Sequence, residues 1–301
     1  MHMTRAARLR QILKQGGPGI VPGATDCLTA KLIEQAGYPC VYVTGGGASN
    51  TFLGAPDLGI MTLNELASQA ERISDAVSIP VISDVDTGFG GVANVKRAIK
   101  MYERAGIAGF HIEDQEFPKR CGHFEGKVVV STESMLYRIQ AAVDARTDPD
   151  FLIIARTDAR AVEGVDAAIE RCHRYREAGA DAIFFEQAQN REELQRVGIE
   201  FKGVPLVANM IERSKTPILP ASDLLSMGFN IILYANLALY LGTFAIKNGL
   251  KQLREEGHSL NMMERMLSFQ ERQELVGLAK TDAAEKDLVD RVKKRLAASE
   301  R

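Results

Sequence analysis

Residues 104–115 read RAGIAGFHIEDQ. A helical run ends in Arg104-Ala105, Gly106 follows, the short strand Phe110-His111-Ile112 comes next, and polar residues Glu113-Asp114-Gln115 close the phrase. Glycine after a helix supplies the left-handed cap that lets the chain turn into the next element. The phrase recurs at Gln35-Ala36-Gly37 before Cys40-Val41-Tyr42-Val43, at Glu177-Ala178-Gly179 before Ala182-Ile183-Phe184-Phe185, and at Ser226-Met227-Gly228 before Ile231-Ile232-Leu233-Tyr234. Four further short apolar runs bounded by turn residues, Gly19 to Ala24, Pro80 to Asp84, Phe151 to Ala155 and Pro205 to Ala208, bring the strands to eight. The segments between them, such as Leu63 to Val77, Val92 to Ala105, Ser131 to Arg146 and Val165 to Ala178, space their apolar residues as helices do, often with Ser, Thr or Asp near the start. Strand then helix in strict alternation favours a parallel sheet covered by helices. Eight such units over about 250 residues predict an α/β fold of the (β/α)₈ (TIM) barrel type across residues 4–256, with an open doubly wound sheet as the alternative. Residues 257–301 read as a charged helical C-terminal extension, in which Met262, Met263, Met266, Leu267 and Phe269 form an apolar cluster suited to core or subunit packing.

Composition narrows the function. The chain has 301 residues, 46% hydrophobic and 25% charged, enough for a large core. A net charge of -2 and the lack of a basic stripe interleaved with aromatics argue against nucleic acid. Its cysteines, Cys27, Cys40, Cys121 and Cys172, never form a CxxC pair, which argues against structural zinc or a disulfide framework and for a reducing compartment. The start, Met1-His2-Met3-Thr4, lacks the apolar core of a signal peptide, and His2 reads as a leftover before Met3. The longest apolar run, Ile231 to Ile246, is short for a membrane span and is interrupted by Asn236, Gly242 and Thr243. A cytoplasmic protein without membrane partners is expected.

In a (β/α)₈ barrel chemistry sits at the carboxyl ends of the strands, and here those ends are polar. They carry Thr25-Asp26, Thr44-Gly45-Gly46-Gly47, Asp84-Val85-Asp86-Thr87, Glu113-Asp114-Gln115, Arg156-Thr157-Asp158, Glu186-Gln187, Asn209 and Asn236. Asp84 and Asp86 alternate along an extended segment, with Glu113 on the next strand, so carboxylates converge without a thiol or histidine pair, which suits Mg²⁺ or Mn²⁺. The same acids could instead cap helices or pair with Arg156. Thr44 to Gly47 reads as a tight turn whose backbone N–H groups seat an anionic oxygen. Neither GxxxxGK[ST] nor GxGxxG occurs, which disfavours ATP and NAD. Arg156 offers a planar fork for a carboxylate or phosphate, or a structural pair with Glu186. Lys119-Arg120-Cys121-Gly122-His123 places a thiol among cations, a setting that lowers a thiol's pKa, with Gly122 and Gly126 allowing the segment to move as a catalytic loop.

The stretches YVTGGGASNTFLGAPD (42–57), SDVDTGFG (83–90), HIEDQEFPKRCGH (111–123) and IARTD (154–158), with Asn209, resemble the isocitrate lyase and phosphoenolpyruvate mutase superfamily, on the side of the 2-methylisocitrate and 2,3-dimethylmalate lyases. The resemblance covers roughly residues 5 to 280. It implies a Mg²⁺-dependent barrel that makes or breaks a carbon-carbon bond beside a 2-oxo acid, and a homotetramer that exchanges the helix after strand eight. It implies Asp84 as the direct metal ligand, with Asp57, Asp86 and Glu113 on metal-bound waters. Tyr42, Thr44, Gly45, Gly46 and Gly122 with Arg156 would hold the oxo acid, and Glu186 and Asn209 would line the pocket. Cys121 would be the acid or base, tuned by Lys119 and His123. The implied chemistry is a retro-aldol (Claisen-type) cleavage of a 2-hydroxydicarboxylate to a 2-oxo acid and a carboxylic acid. No lysine falls inside a predicted strand, which disfavours a Schiff base.

The likeness frays at two positions. Methylisocitrate lyases carry Thr two residues past the Asn of strand seven, where this chain has Ile211, and an arginine after strand eight, where it has Tyr240. Losing a cation and a hydroxyl argues for a dicarboxylate such as a 2,3-dialkylmalate over a tricarboxylate. 2-Methylisocitrate lyase, an oxaloacetate hydrolase or decarboxylase, and a non-catalytic oxo-acid-binding protein are the alternatives. A phosphonopyruvate enzyme is disfavoured by the thiol loop.

Overall fold

The computed structural model describes residues 3–299; Met1 and His2, including the residue read as a leftover, lie outside them. Strands β1 (Gly19–Ala24), β2 (Val41–Val43), β3 (Val81–Asp84), β4 (Gly109–Glu113), β5 (Leu152–Thr157), β6 (Ala182–Phe185), β7 (Leu206–Asn209) and β8 (Phe229–Tyr234) follow one another in sequence. Each pairs in parallel with its neighbours, and β8 returns to β1 through Gly19↔Ile231 to Pro22↔Tyr234, so the sheet is a closed barrel and the open-sheet alternative falls. The caps read from sequence are present: Gly37, Gly106, Gly179 and Gly228 all take positive φ.

A strand's period of two sorts its residues. On β5, Ile153 and Ala155 face the helices while Leu152 and Ile154 pack inside the barrel. The same alternation sends Tyr42, Ile82, Phe184, Val207 and Ile231 inward. Continuing the first four of these rows by two residues reaches Thr44, Asp84, Glu186 and Asn209, so on these strands the apolar plug of the barrel ends in a polar layer at the carboxyl side, while β8 continues to the apolar Leu233. Register aligns that layer laterally: Asp84 lies opposite His111, and Glu113 opposite Arg156.

The helices close the outside for local reasons. Helix Leu63–Ala76 begins with a capping box in which Thr62 and Glu65 satisfy each other's backbone N–H groups, and it buries Leu66, Ala70 and Ile73. Helix Val92–Arg104 buries Val95, Ala98, Ile99 and Tyr102, a spacing of three and four.

The chain divides into two compact units between Leu241 and Gly242, within helix Leu237–Glu256, whereas the sequence placed the division at 256/257. That helix has no buried residue along its length, so helical continuity does not mark the end of the barrel unit. The second unit holds helices Phe269–Val276 and Leu278–Ser299. Of the expected methionine cluster only Met262 is buried, while Met263, Met266, Leu267 and Phe269 are exposed.

Candidate active site

The polar layer lines a small cavity formed by Tyr42, Thr44, Gly46, Asp57, Asp84, Cys121, Gly122, His123, Arg156, Glu186, Asn209, Ile211, Ala235 and Asn236. Most of the residues named from sequence therefore meet here. Its volume is about 40 Å³, far below the ~300 Å³ lower bound of usual ligand pockets. Cys121, Gly122 and His123 of the loop after β4 form part of its wall.

The acids are arranged differently from the expectation. β3 ends at Asp84, and Asp86 has φ 47, so the two do not alternate along an extended segment. The turn lets the Asp86 N–H donate to Asp84 Oδ1 at 2.9 Å. Lys119 Nζ reaches Asp57 Oδ1 at 2.5 Å and pairs with Asp86 Oδ1 at 2.8 Å. Glu113 leans to Arg156, its Oε2 3.4 Å from Nε. Among the described residues no group of three or more His, Cys, Asp and Glu side chains is placed to grip a metal ion directly. The convergence read from sequence is thus split by two cations.

The donor set still fits a hard ion. Glu113 Oε1 is buried without a hydrogen-bond partner. Burial raises the pKa of Asp84, pushes that of Asp86 up to about 6 despite Lys119, and raises that of Glu113 well above the carboxylate range despite Arg156. Carboxyl groups so poorly compensated gain from an added divalent cation.

Thr44 to Gly47 is the start of a short helix, Gly45–Ala48, and not a tight turn, because the Thr44 hydroxyl caps it by accepting from the Gly47 N–H at 3.2 Å. First-turn amides lack intrahelical partners, so the anion seat keeps its donors in helical form. Gly45 is required by packing: a Cβ there would lie 2.5 Å from Asp84 Oδ2.

Arg156 is anchored from behind. Its Nε and Nη2 donate to Asp158 at 2.9 and 3.2 Å, and Glu186 Oε2 is 3.6 Å from Nη2. Arg156 is thus paired, as one reading had it, and it also lines the cavity. Asn209 donates to Glu186 Oε2 at 3.0 Å. Tyr42 Oη and His111 Nε2 are 2.7 Å apart, and burial holds His111 well below its ordinary pKa, hence neutral.

The Cys121 thiol departs most from its expected electrostatics. Burial, and then Asp57, push its pKa up to about 11, where neighbouring cations were expected to lower it. Lys119 is committed to Asp57 and Asp86, and burial depresses the pKa of His123, which therefore adds little positive charge near neutrality. The group is a neutral thiol, suited to giving a proton.

Lys127, Asp158, Gln187 and His111 were not singled out as site residues. Asp158 and His111 carried a readable signal, Asp158 standing two residues after Arg156, just past the end of β5, and His111 two residues before Glu113 on β4. Gln187 stood among the polar strand ends without a role and Lys127 gave no signal, because both roles depend on where the loop folds back.

The phosphoenolpyruvate phosphomutase family matches residues 9–254. Among curated relatives, the 2,3-dimethylmalate lyase of Eubacterium barkeri is 43% identical over 92% of this chain and 96% of its own. The 2-methylisocitrate lyase of Shewanella oneidensis is 42% identical over 88% of this chain and 91% of its own. Among solved structures, a 2,3-dimethylmalate lyase superposes with a TM-score of 0.91 at 37% identity, covering 96% of each chain. Oxaloacetate acetylhydrolase, bound to 3,3-difluorooxalacetate, has a TM-score of 0.91 at 33% identity, covering 95% of this chain and 97% of its own. Phosphonopyruvate hydrolase, in complex with oxalate and Mg²⁺, has a TM-score of 0.85 at 32% identity, covering 94% and 99%. The barrel, its strand-end chemistry and these likenesses agree, and the chain belongs to the PEP mutase/isocitrate lyase superfamily.

Proposed function

We propose that the chain is a carbon-carbon lyase that cleaves a 2-hydroxydicarboxylate such as a 2,3-dialkylmalate into a 2-oxo acid and a carboxylic acid. The observation that carries this reading is the neutral Cys121 thiol lining the same closed cavity as Asp84 and Arg156. Asp84 would hold Mg²⁺ directly, with Asp57, Asp86 and Glu113 acting through water, and Mn²⁺ could substitute. When bound, the ion supplies positive charge beside the 2-hydroxyl and its neighbouring carboxylate, which acidifies the hydroxyl.

Arg156 and the amides of Gly45 and Gly46 orient that carboxylate, with Tyr42, Thr44 and Gly122 closing around it. The hydroxyl gives its proton to the Glu186 carboxylate, which lines the cavity and which Arg156 keeps ionised against its burial; C2–O becomes a carbonyl, the C2–C3 bond breaks, and the electron pair stays on C3 beside the second carboxylate. Cys121 gives its proton to C3. A thiol whose pKa is about 11 delivers that proton readily to a carbanion, and the resulting thiolate is stabilised by Lys119 and Arg156. His123 stands 3.4 Å from Glu186 and completes the wall over the leaving fragment. The closed loop excludes water from the carbanion.

The cavity walls favour a small substrate. Arg156 is the one arginine or lysine among the lining residues, and Ile211 and Ala235 form an apolar side that suits an alkyl substituent rather than a third carboxylate. Incubation with Mg²⁺ and 2,3-dimethylmalate, other alkylmalates, methylisocitrate and oxaloacetate, with products identified by mass spectrometry, tests the assignment. Turnover of methylisocitrate alone would reject it. Oxaloacetate hydrolysis is the second reading, favoured by the likeness to oxaloacetate acetylhydrolase, and acetate plus oxalate would identify it.

The assembly expected is a homotetramer exchanging the helix after β8, which exposes Leu241, Phe244, Ile246 and Leu250 for a second copy of the chain to cover. No helix among the described residues is long and apolar enough to cross a membrane. The free state of Cys27, Cys40, Cys121 and Cys172 suits the cytoplasm.

A further inference from the structure

The loop over the cavity is held at its base and at its tip by different means. At the base, Gln115 and Val129 form an antiparallel bridge, and the Val130 N–H donates to the Asp114 carbonyl at 2.8 Å. The Gln115 amide grips the Arg120 backbone twice, donating to its carbonyl at 2.8 Å and accepting from its N–H at 3.0 Å. At the tip, the carbonyl of Gly122, next to the thiol, accepts from two buried side chains. One is Gln187 Nε2 at 3.0 Å, from the residue pair that follows β6. The other is Lys127 Nζ, from the loop's own returning limb.

Lys127 stands on the loop and on none of the barrel's strands, yet its side chain is only 2% exposed. Besides the Gly122 carbonyl it donates to Asp158 Oδ1 at 2.9 Å. That oxygen is the one Arg156 Nη2 reaches at the longer distance of 3.2 Å, while Arg156 Nε keeps Oδ2 at 2.9 Å. Two cations share one carboxylate oxygen, and the lysine has the shorter bond. Asp158 cannot move to suit either, since its own N–H is held by Asp114 Oδ1 at 2.8 Å and Asp114 is fixed by Thr157 and Tyr175. Lys127 can leave with the loop, whereas Arg156 stays on its strand.

We propose that Lys127 is a positioning residue that couples loop closure to the carboxylate seat: on closing, it locks the Gly122 carbonyl over the cavity and takes a share of the negative charge on Asp158 Oδ1, weakening the hold of Asp158 on Arg156 and leaving more of the guanidinium's positive charge for the substrate carboxylate. With the loop open, Asp158 has Arg156 alone and binds it more fully. Closure therefore strengthens the anion's seat, and by linkage an anion in that seat favours closure. The idea rests on Arg156 receiving a carboxylate, as in the lyase reading, but its test needs no turnover.

The experiment uses the full chain with Cys27→Ala, comparing it with added Lys127→Met, which keeps the aliphatic stem and removes the ammonium. Cys121 alkylation by iodoacetamide is followed by peptide mass spectrometry, and oxalate affinity with Mg²⁺ is measured by calorimetry. Lys127→Met is expected to speed Cys121 alkylation and weaken oxalate binding, each by about tenfold, the scale of one charge-assisted hydrogen bond. The buried Cys40 and Cys172 are expected to stay unreactive, which a general loosening of the fold would not allow. Either readout remaining within twofold overturns the proposal, as does failure of the parent chain to bind oxalate. Gln187→Leu, which removes only the second grip on Gly122, is expected to speed alkylation while leaving oxalate affinity less affected, and it decides the latch if Lys127→Met does not fold. A chain that shows both effects but cleaves no malate would leave the coupling standing and the lyase reading fallen.

Discussion

Cys121 lines the cavity together with Asp84 and Arg156, but its electrostatics run opposite to those its neighbours in sequence suggest. The sequence placed cations beside it, and they are beside it, but their charge is spent on Asp57 and Asp86 and the thiol is buried. Iodoacetamide alkylation of Cys121 in metal-free protein is therefore expected to rise with pH toward about 11, with only about a thousandth of its limiting rate at pH 8. The sign follows from a raised pKa: below it the group is the unreactive thiol. A rate already saturated at pH 8 would contradict this. Gly122→Ala places a Cβ against Arg156 and 3.0 Å from Glu186, groups pinned from behind, so closure is expected to cost about 1–3 kcal/mol. Turnover should fall tenfold or more with little change in melting temperature, measurable by pairing a product assay with a thermal melt. The identity of Asp84, Glu113, Arg156 and Asn209 as inward residues was legible because strand periodicity fixes it. The turn at Asp86, the commitment of Lys119 and the double grip on Gly122 were not, because each depends on contacts between distant segments.

Elements were legible to within a residue or two. β6 spans the same residues in sequence and structure, and β4 is longer than read because Gly109 and Glu113 join the ladder through Leu152 and Arg156. The one element misread in kind was Thr44 to Gly47: a run of glycines suggests a turn, but a capping threonine in front of it starts a helix. Capping chemistry also sets stability away from the site. Thr62→Ala removes half of the box at the start of helix Leu63–Ala76 and is expected to cost about 1 kcal/mol, seen as a lower urea midpoint with unchanged kinetics. A midpoint that does not move would mean that packing of Leu66, Ala70 and Ile73 alone sets the helix.

For the whole molecule, the closed barrel was readable from eight repeats of one phrase, while the exposed apolar helix was not, since a periodic apolar pattern does not say whether its partner is the same chain or another. Leu241, Phe244 and Leu250 on that helix are 62%, 69% and 62% exposed, more than a solitary chain of this solubility class usually shows on one element. Light scattering is expected to give four times the 33.0 kDa chain mass, and Phe244→Glu to shift it downward. A monomer at micromolar concentration would contradict the exchanged-helix assembly. Carbon-carbon cleavage with Cys121 as proton donor is tested most directly by cleavage of 2,3-dimethylmalate with Mg²⁺, read by mass spectrometry for the intact chain and Cys121→Ala side by side. Pyruvate and propionate are expected in equal amounts from the intact chain, with a loss of about 10²- to 10⁴-fold in the variant. No cleavage by the intact chain would contradict the reaction, and equal rates in the two would contradict the thiol's role.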